Sequence, residues 1–265
     1  MGEINQVFDI AKEVVGEVYE DGAKPVVKPT GELIGILPRT IKAALSPLEV
    51  WILQKEYNVK QTRKLLEEKL KNVNLDNICS PEPHIAVPAM QYISYCMNND
   101  ELRDMYANLL ANSMNKVVKN GVHPAFVEII RQLSPDEAKI LKAIKNERVI
   151  PTVTLRAEDK LGRGQDVVRD FSVITETANC ENIGAYEQYF DNLIRLGLLK
   201  QAAKYQSLAE EKWYQGLETN PFIIQMKEII QTAYKDHSNP KIERSYIYMT
   251  SFGIAFCKIC LGNSD

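Results

Sequence analysis

Apolar residues at Ile4, Val7, Phe8, Ala11, Val14, Val15 and Val18 recur at spacings of three and four, the stripe of an amphipathic helix that ends near Gly22. Pro25 and Pro29 then impose an extended connector. The longest apolar window, Leu33 to Leu53, is broken by Pro38 and Pro47 and predicts a helical hairpin. It also holds Arg39, Lys42 and Glu49, each of which would cost roughly 2.5–3.5 kcal/mol at the middle of a bilayer. A buried hairpin is therefore favoured over a spanning helix, while transient contact with a membrane surface stays open. In residues 59–72, Leu65, Leu66 and Leu70 are set among Lys60, Arg63, Lys64, Lys69 and Lys71. Because Glu67 and Glu68 interleave, this helix reads as a solvated face rather than a nucleic-acid patch.

A proline-bearing break at 81–88 comes next, and Pro88 suits the first turn of a helix carrying Met90, Ile93 and Met97. Asn98-Asn99-Asp100-Glu101 offers a cap for a second helix, with Leu102, Met105, Tyr106, Leu109, Leu110 and Val117 on one face. Asp104, Asn108 and Asn112 fall four apart on another face, and Ala107 and Ala111 let a neighbour approach closely. His123-Pro124 precedes a short helix with Phe126, Val127, Ile130 and Leu133. Ser134-Pro135-Asp136-Glu137 then places a Ser cap, a first-turn Pro and a Glu at the third position, which predicts a helix start.

After about residue 148 the texture changes. Val149 to Leu155 is β-branched and strand-like, and 157–166, with Gly162-Arg163-Gly164, reads as an exposed loop. A helix over 185–198 carries Tyr186, Tyr189, Phe190 and Leu193, and another begins behind Asn220-Pro221. Tyr246, Tyr248 and Thr250 alternate with Ile247 and Met249 as in a half-buried strand, before a last helix with Phe252, Ala255, Phe256 and Ile259. The predicted fold is mainly α: an N-terminal helical bundle over 1–133, followed by an α+β, winged-helix-like unit over 134–265 with a helical insertion.

Charge narrows the partners. The net charge is −3, and the halves are alike, with 15 basic against 17 acidic groups in 1–133 and 17 against 18 in 134–265. Neither half is a footprint for a polyanion. On a winged helix the groove-facing element would be 185–198, where Glu187 and Asp191 outweigh Arg195. That surface favours protein contact over DNA. Five scattered cysteines and the lack of a leader pattern point to a reducing cytoplasm. Cys257 and Cys260 form a Cys-x-x-Cys pair without further ligands at metal spacing, so packed thiols are the favoured reading. His84 and His123 each stand beside proline at a helix mouth, where capping accounts for them. No phosphate-binding glycine loop, nucleophile elbow or His-Glu-x-x-His motif occurs. No catalytic residue, metal or cofactor is assigned.

Pro83 to Ala89, Glu101 to Ala111 and His123 to Ala138 together resemble the signature of the Abi-alpha (abortive infection alpha) family, in order and in spacing. The resemblance extends upstream through Leu65–Leu70 and is weakest beyond about residue 150. It implies a prokaryotic phage-defence protein and supplies no reaction. Within the signature, packing does not demand the polar side chains. Arg103, Asp104, Asn108, Asn112, Glu128 and Arg131, with His84 and His123, are therefore the candidates for a buried polar network or a binding site. The favoured function is a non-enzymatic defence protein that engages a phage or host protein. A nucleic-acid-binding regulator and a membrane-perturbing effector using 33–53 are the alternatives; oligomeric state is not readable from the sequence.

Overall fold

The structure is a computed structural model that describes residues 59–96, 98–203, 206–234 and 237–262, together with 39, 40, 42 and 43. The expected helix at 4–18, nearly all of the 33–53 hairpin, and Met97 lie outside the described residues. The fold is α+β, with ten α-helices and one four-stranded antiparallel sheet among the described residues. It divides into two compact units, 1–128 and 129–265.

In the first unit, α1 (Val59–Leu70), α2 (Pro83–Tyr95) and α3 (Asp100–Ser113) pack with α3 against both of the others. The start of α2 differs from the sequence expectation: Pro83 takes the first-turn position behind Glu82, and Pro88 sits inside the helix. The chain is already extended through Pro81, so the first proline able to open a helix does so. Asn99 caps α3, its side chain accepting from the Leu102 amide at 2.9 Å, and Asp100 and Glu101 face the positive end of the helix. Every residue from Met105 to Ala111 is buried, which makes α3 the central helix of this unit. Val117 does not continue its face; it is exposed beyond the helix end. The chain leaves the axis there because Asn77 to Cys79 bond in extended fashion to Met114 to Lys116, with Cys79 N to Met114 O and Lys116 N to Asn77 O both at 2.8 Å.

Helix α4 (Ala125–Arg131) leads to α5 (Pro135–Ile144), where the predicted capping box is present: Glu137 N donates to Ser134 Oγ at 3.2 Å and Ser134 N to Glu137 Oε2 at 2.6 Å. Then come β1 (Val149–Glu158), β2 (Gly164–Phe171), α6 (Ile174–Thr177), α7 (Tyr186–Arg195), β3 (Leu199–Gln201), α8 (Lys212–Glu218), α9 (Pro221–Ala233), β4 (Asn239–Met249) and α10 (Ser251–Cys260). The expected loop at 157–166 is mostly hairpin. Asp159 pins a short turn by accepting from the amides of Leu161 and Arg163 at 2.8 and 2.9 Å, so both strands run almost to its edges.

The strand order is β2-β1-β4-β3, with β1 and β4 paired continuously from Val149↔Tyr248 to Glu158↔Asn239. Gln201 on edge strand β3 donates to Asp170 on the opposite edge strand β2 at 2.7 Å, so the sheet is curled. On one face Val153, Leu155, Ala157, Val168 and Phe171 pack with Tyr214, Leu217, Ile223 and Ile230 from α8 and α9. Arg244 holds α8 on that face through Glu211 and Glu218, and its guanidinium lies over the Tyr214 ring. Helix α7 ends at Gly197, whose φ of 73° suits glycine. Helix α10 starts against Leu198, and a Cβ on Gly253 would stand 2.1 Å from the Leu198 carbonyl oxygen.

Candidate functional site

The eight polar candidates divide by burial. His84 is exposed in the first turn of α2. On α3, Asn108 is buried and Arg103 and Asn112 are half-buried. Arg103 bridges to Asp100 at 2.8 Å, and the half-exposed Asp104 to Lys69 of α1 at 3.6 Å. Both pairs act between neighbouring turns or helices. His123 is exposed, and its Nδ1 accepts from the Ala125 amide at 3.1 Å, the capping role that its place beside Pro124 suggests. Glu128 is half-buried and Arg131 exposed on α4. Among the described residues no group of three or more His, Cys, Asp or Glu side chains could hold a metal ion.

The best-organised polar site lies elsewhere, at the first turn of α5, where the sequence showed only a helix start. Asp136 is buried, yet four donors converge on its carboxylate. The Glu181 amide reaches both carboxylate oxygens at 3.0 Å, the Asn182 amide and the Tyr189 hydroxyl reach Oδ2 at 3.1 and 2.8 Å, and Lys139 reaches Oδ1 at 3.1 Å. Burial pushes this carboxyl upward, but the donors outweigh it and hold the group at about 2. Glu137 accepts from Asn192 of α7 at 2.8 Å. Two adjacent acidic residues at the positive end of α5 therefore orient α7 through Tyr189 and Asn192.

This node is chemically quiet. The Asp136 lone pairs are engaged, and the Tyr189 phenol is raised above its ordinary range by burial and by the carboxylate it donates to. Burial and the Asp136 charge push the neighbouring Cys180 thiol up to about 11, so it stays protonated. Cys257 and Cys260 are buried thiols raised by desolvation. On α7 itself Glu187 pairs with Arg169 at 3.1 Å, and Arg195 is held by Gln132 and Asn192. Its one cation is thus engaged within the unit.

A cavity of about 390 Å³ at the β1–β2 turn is lined by charges of both signs. Most of them are already matched: Asp159 with Arg163 at 2.8 Å, and Glu158 with Arg156 and Lys241 at 3.3 and 3.2 Å. A ligand there would have to displace internal pairs. Among the described residues no helix is long and apolar enough to cross a membrane.

The family model described as abortive infection alpha matches residues 54–260. Comparison with curated proteins yields no match. Among solved structures, the uncharacterized protein from the hydrocarbon-degrading marine bacterium Alcanivorax borkumensis SK2 aligns at 16% identity over 52% of this chain and 92% of that one, with a TM-score of 0.36. At that score the likeness carries no argument about fold.

Proposed function

The chain belongs to the abortive infection alpha family, and from that premise we propose that it is a cytoplasmic, prokaryotic phage-defence protein that acts by contacting a phage or host protein rather than by catalysis. One observation supports protein contact in particular. Helix α9 buries Ile223 and Ile230 against the sheet, but Phe222, Ile224 and Ile229 stay 41%, 45% and 36% exposed. A helix apolar around more of its circumference than its own fold covers is expected to meet another surface.

The nucleic-acid alternative keeps a topological basis. Helix α5, strand β1, helices α6 and α7, and strands β3 and β4, with β4 between β1 and β3, follow the succession of a winged helix. On this reading β2 extends the sheet and α8–α9 is the helical insertion. The α7 surface is poor equipment for DNA, because it exposes Asp191 and carries Glu187 paired with Arg169, on a helix whose single arginine is engaged. The polar set of His84, Arg103, Asp104, Asn108, Asn112, His123, Glu128 and Arg131 serves, in this account, to hold the helices that carry it in place.

A gel-shift titration at low salt separates the two readings: absence of a shift at micromolar protein is expected, and a saturable shift would move the function to nucleic acid. Affinity capture from infected cells is expected to yield a stoichiometric partner. Flotation with liposomes tests the membrane reading of 33–53, with no co-migration expected.

A further inference from the structure

The C-terminal ends of α5 and α10 border a cavity of about 330 Å³ lined by Lys145, Asn146, Arg148, Met249, Ile254 and Lys258 above the buried Cys257. Among the described residues no carboxylate lines it. Among the described residues neither Arg148 nor Lys258 takes part in an ion pair, although the chain as a whole is acidic. Three cations sharing one recess repel each other, and the cost falls when an anion enters.

A purely structural account covers part of this. Cations near a helix C-terminus complement its dipole, and Lys145 donates to the Gly262 carbonyl at 3.4 Å. Lys258, in the last turn of α10, can act likewise. Arg148 is different, because it stands past the end of α5 with a φ of 62°, a backbone setting that glycine or asparagine fills at lower cost. Its amide reaches Ile144 O at 2.7 Å and its carbonyl accepts from Met249 N at 2.8 Å. The backbone is thus fixed, while the guanidinium serves no acceptor among the described residues.

We infer that this cavity binds a small phosphomonoester, with Arg148 and Lys258 on the phosphate, Lys145 as the third charge, and the organic group against Met249 and Ile254. A phosphate carries close to two negative charges and suits the planar fork of arginine, which a single carboxylate matches less well in charge. The volume is at the small end of ligand pockets, roughly 300 Å³ and upward, so a small molecule fits and a duplex does not enter. Burial pushes the Cys257 thiol up to about 12, leaving an uncharged floor that does not oppose an anion.

Calorimetric titration of the full chain with phenyl phosphate, against phenol and benzoate, tests this. Saturable binding of phenyl phosphate is expected, weakened on the order of tenfold or more by R148Q and by K258Q, and weakened by added salt. The two variants are exposed-site changes whose thermal midpoints should match the wild type. No saturable phenyl phosphate binding, equal binding of phenol, or equal affinity in both variants would overturn the assignment. Arg148-dependent binding of a DNA duplex without binding of phenyl phosphate would also overturn it and assign the surface to a nucleic-acid backbone.

Discussion

The two ends of α5 carry opposite charge, and they differ in where that charge is answered. At the N-terminal end, Asp136 and Glu137 are matched by groups from Lys139, Glu181, Asn182, Tyr189 and Asn192. Around the C-terminal end, Lys145, Arg148 and Lys258 face a cavity that no carboxylate of the described residues lines. A buried charge answered entirely from within is architecture: its removal leaves aligned donors with nothing to donate to. Charges left unanswered at a recess contribute little to the fold and are free for a ligand. The family relationship gives no reaction, so this contrast is the more useful guide to where a small ligand would sit.

Predictions follow from pressing on each end in turn. The largest effect is expected from Asp136→Ala, about 3–5 kcal/mol of lost stability in urea unfolding near neutral pH, since it removes a buried carboxylate on which two amides, a phenol and an ammonium converge. Loss below 1 kcal/mol would mean that the node is not structural. The same carboxylate sets a pH signature. Its folded value of about 2 lies below the unfolded value near 4, so its contribution is complete above about pH 4 and declines as pH falls through about 2. Asp136→Asn should flatten that part of the acid-stability curve. Ser134→Ala, which removes the cap beside the node while leaving Asp136 in place, should cost about 1 kcal/mol in the same unfolding assay. At the other end Arg148→Gln should change stability by no more than about 0.5 kcal/mol, even as phosphate binding falls. An equal loss at both ends would erase the contrast.

How much of this was legible in the sequence depended on distance along the chain. The capping box at Ser134–Glu137, the Asn220 cap of α9 and the close of α7 at Gly197 are local, and their residues announce them. The β1–β2 hairpin was less visible because β2 is a largely polar edge strand with only Val168 and Phe171 buried. Pro88 misled because Pro83, five residues earlier, had already taken the helix start. The Asp136 node was invisible for a different reason: its decisive donors come from 45 to 53 residues downstream. Lys145 and Lys258 likewise share a recess only because α5 and α10 end at the same place.

The central proposal, defence through protein contact, rests on the apolar side chains that α9 leaves uncovered, and phage plating on cells carrying Ile224→Ser/Ile229→Ser tests it most directly. Both positions are exposed, so the variant should retain the thermal midpoint of the wild type while losing protection, with plaque numbers rising to those of cells lacking the protein. Full protection by the folded variant would contradict the proposal.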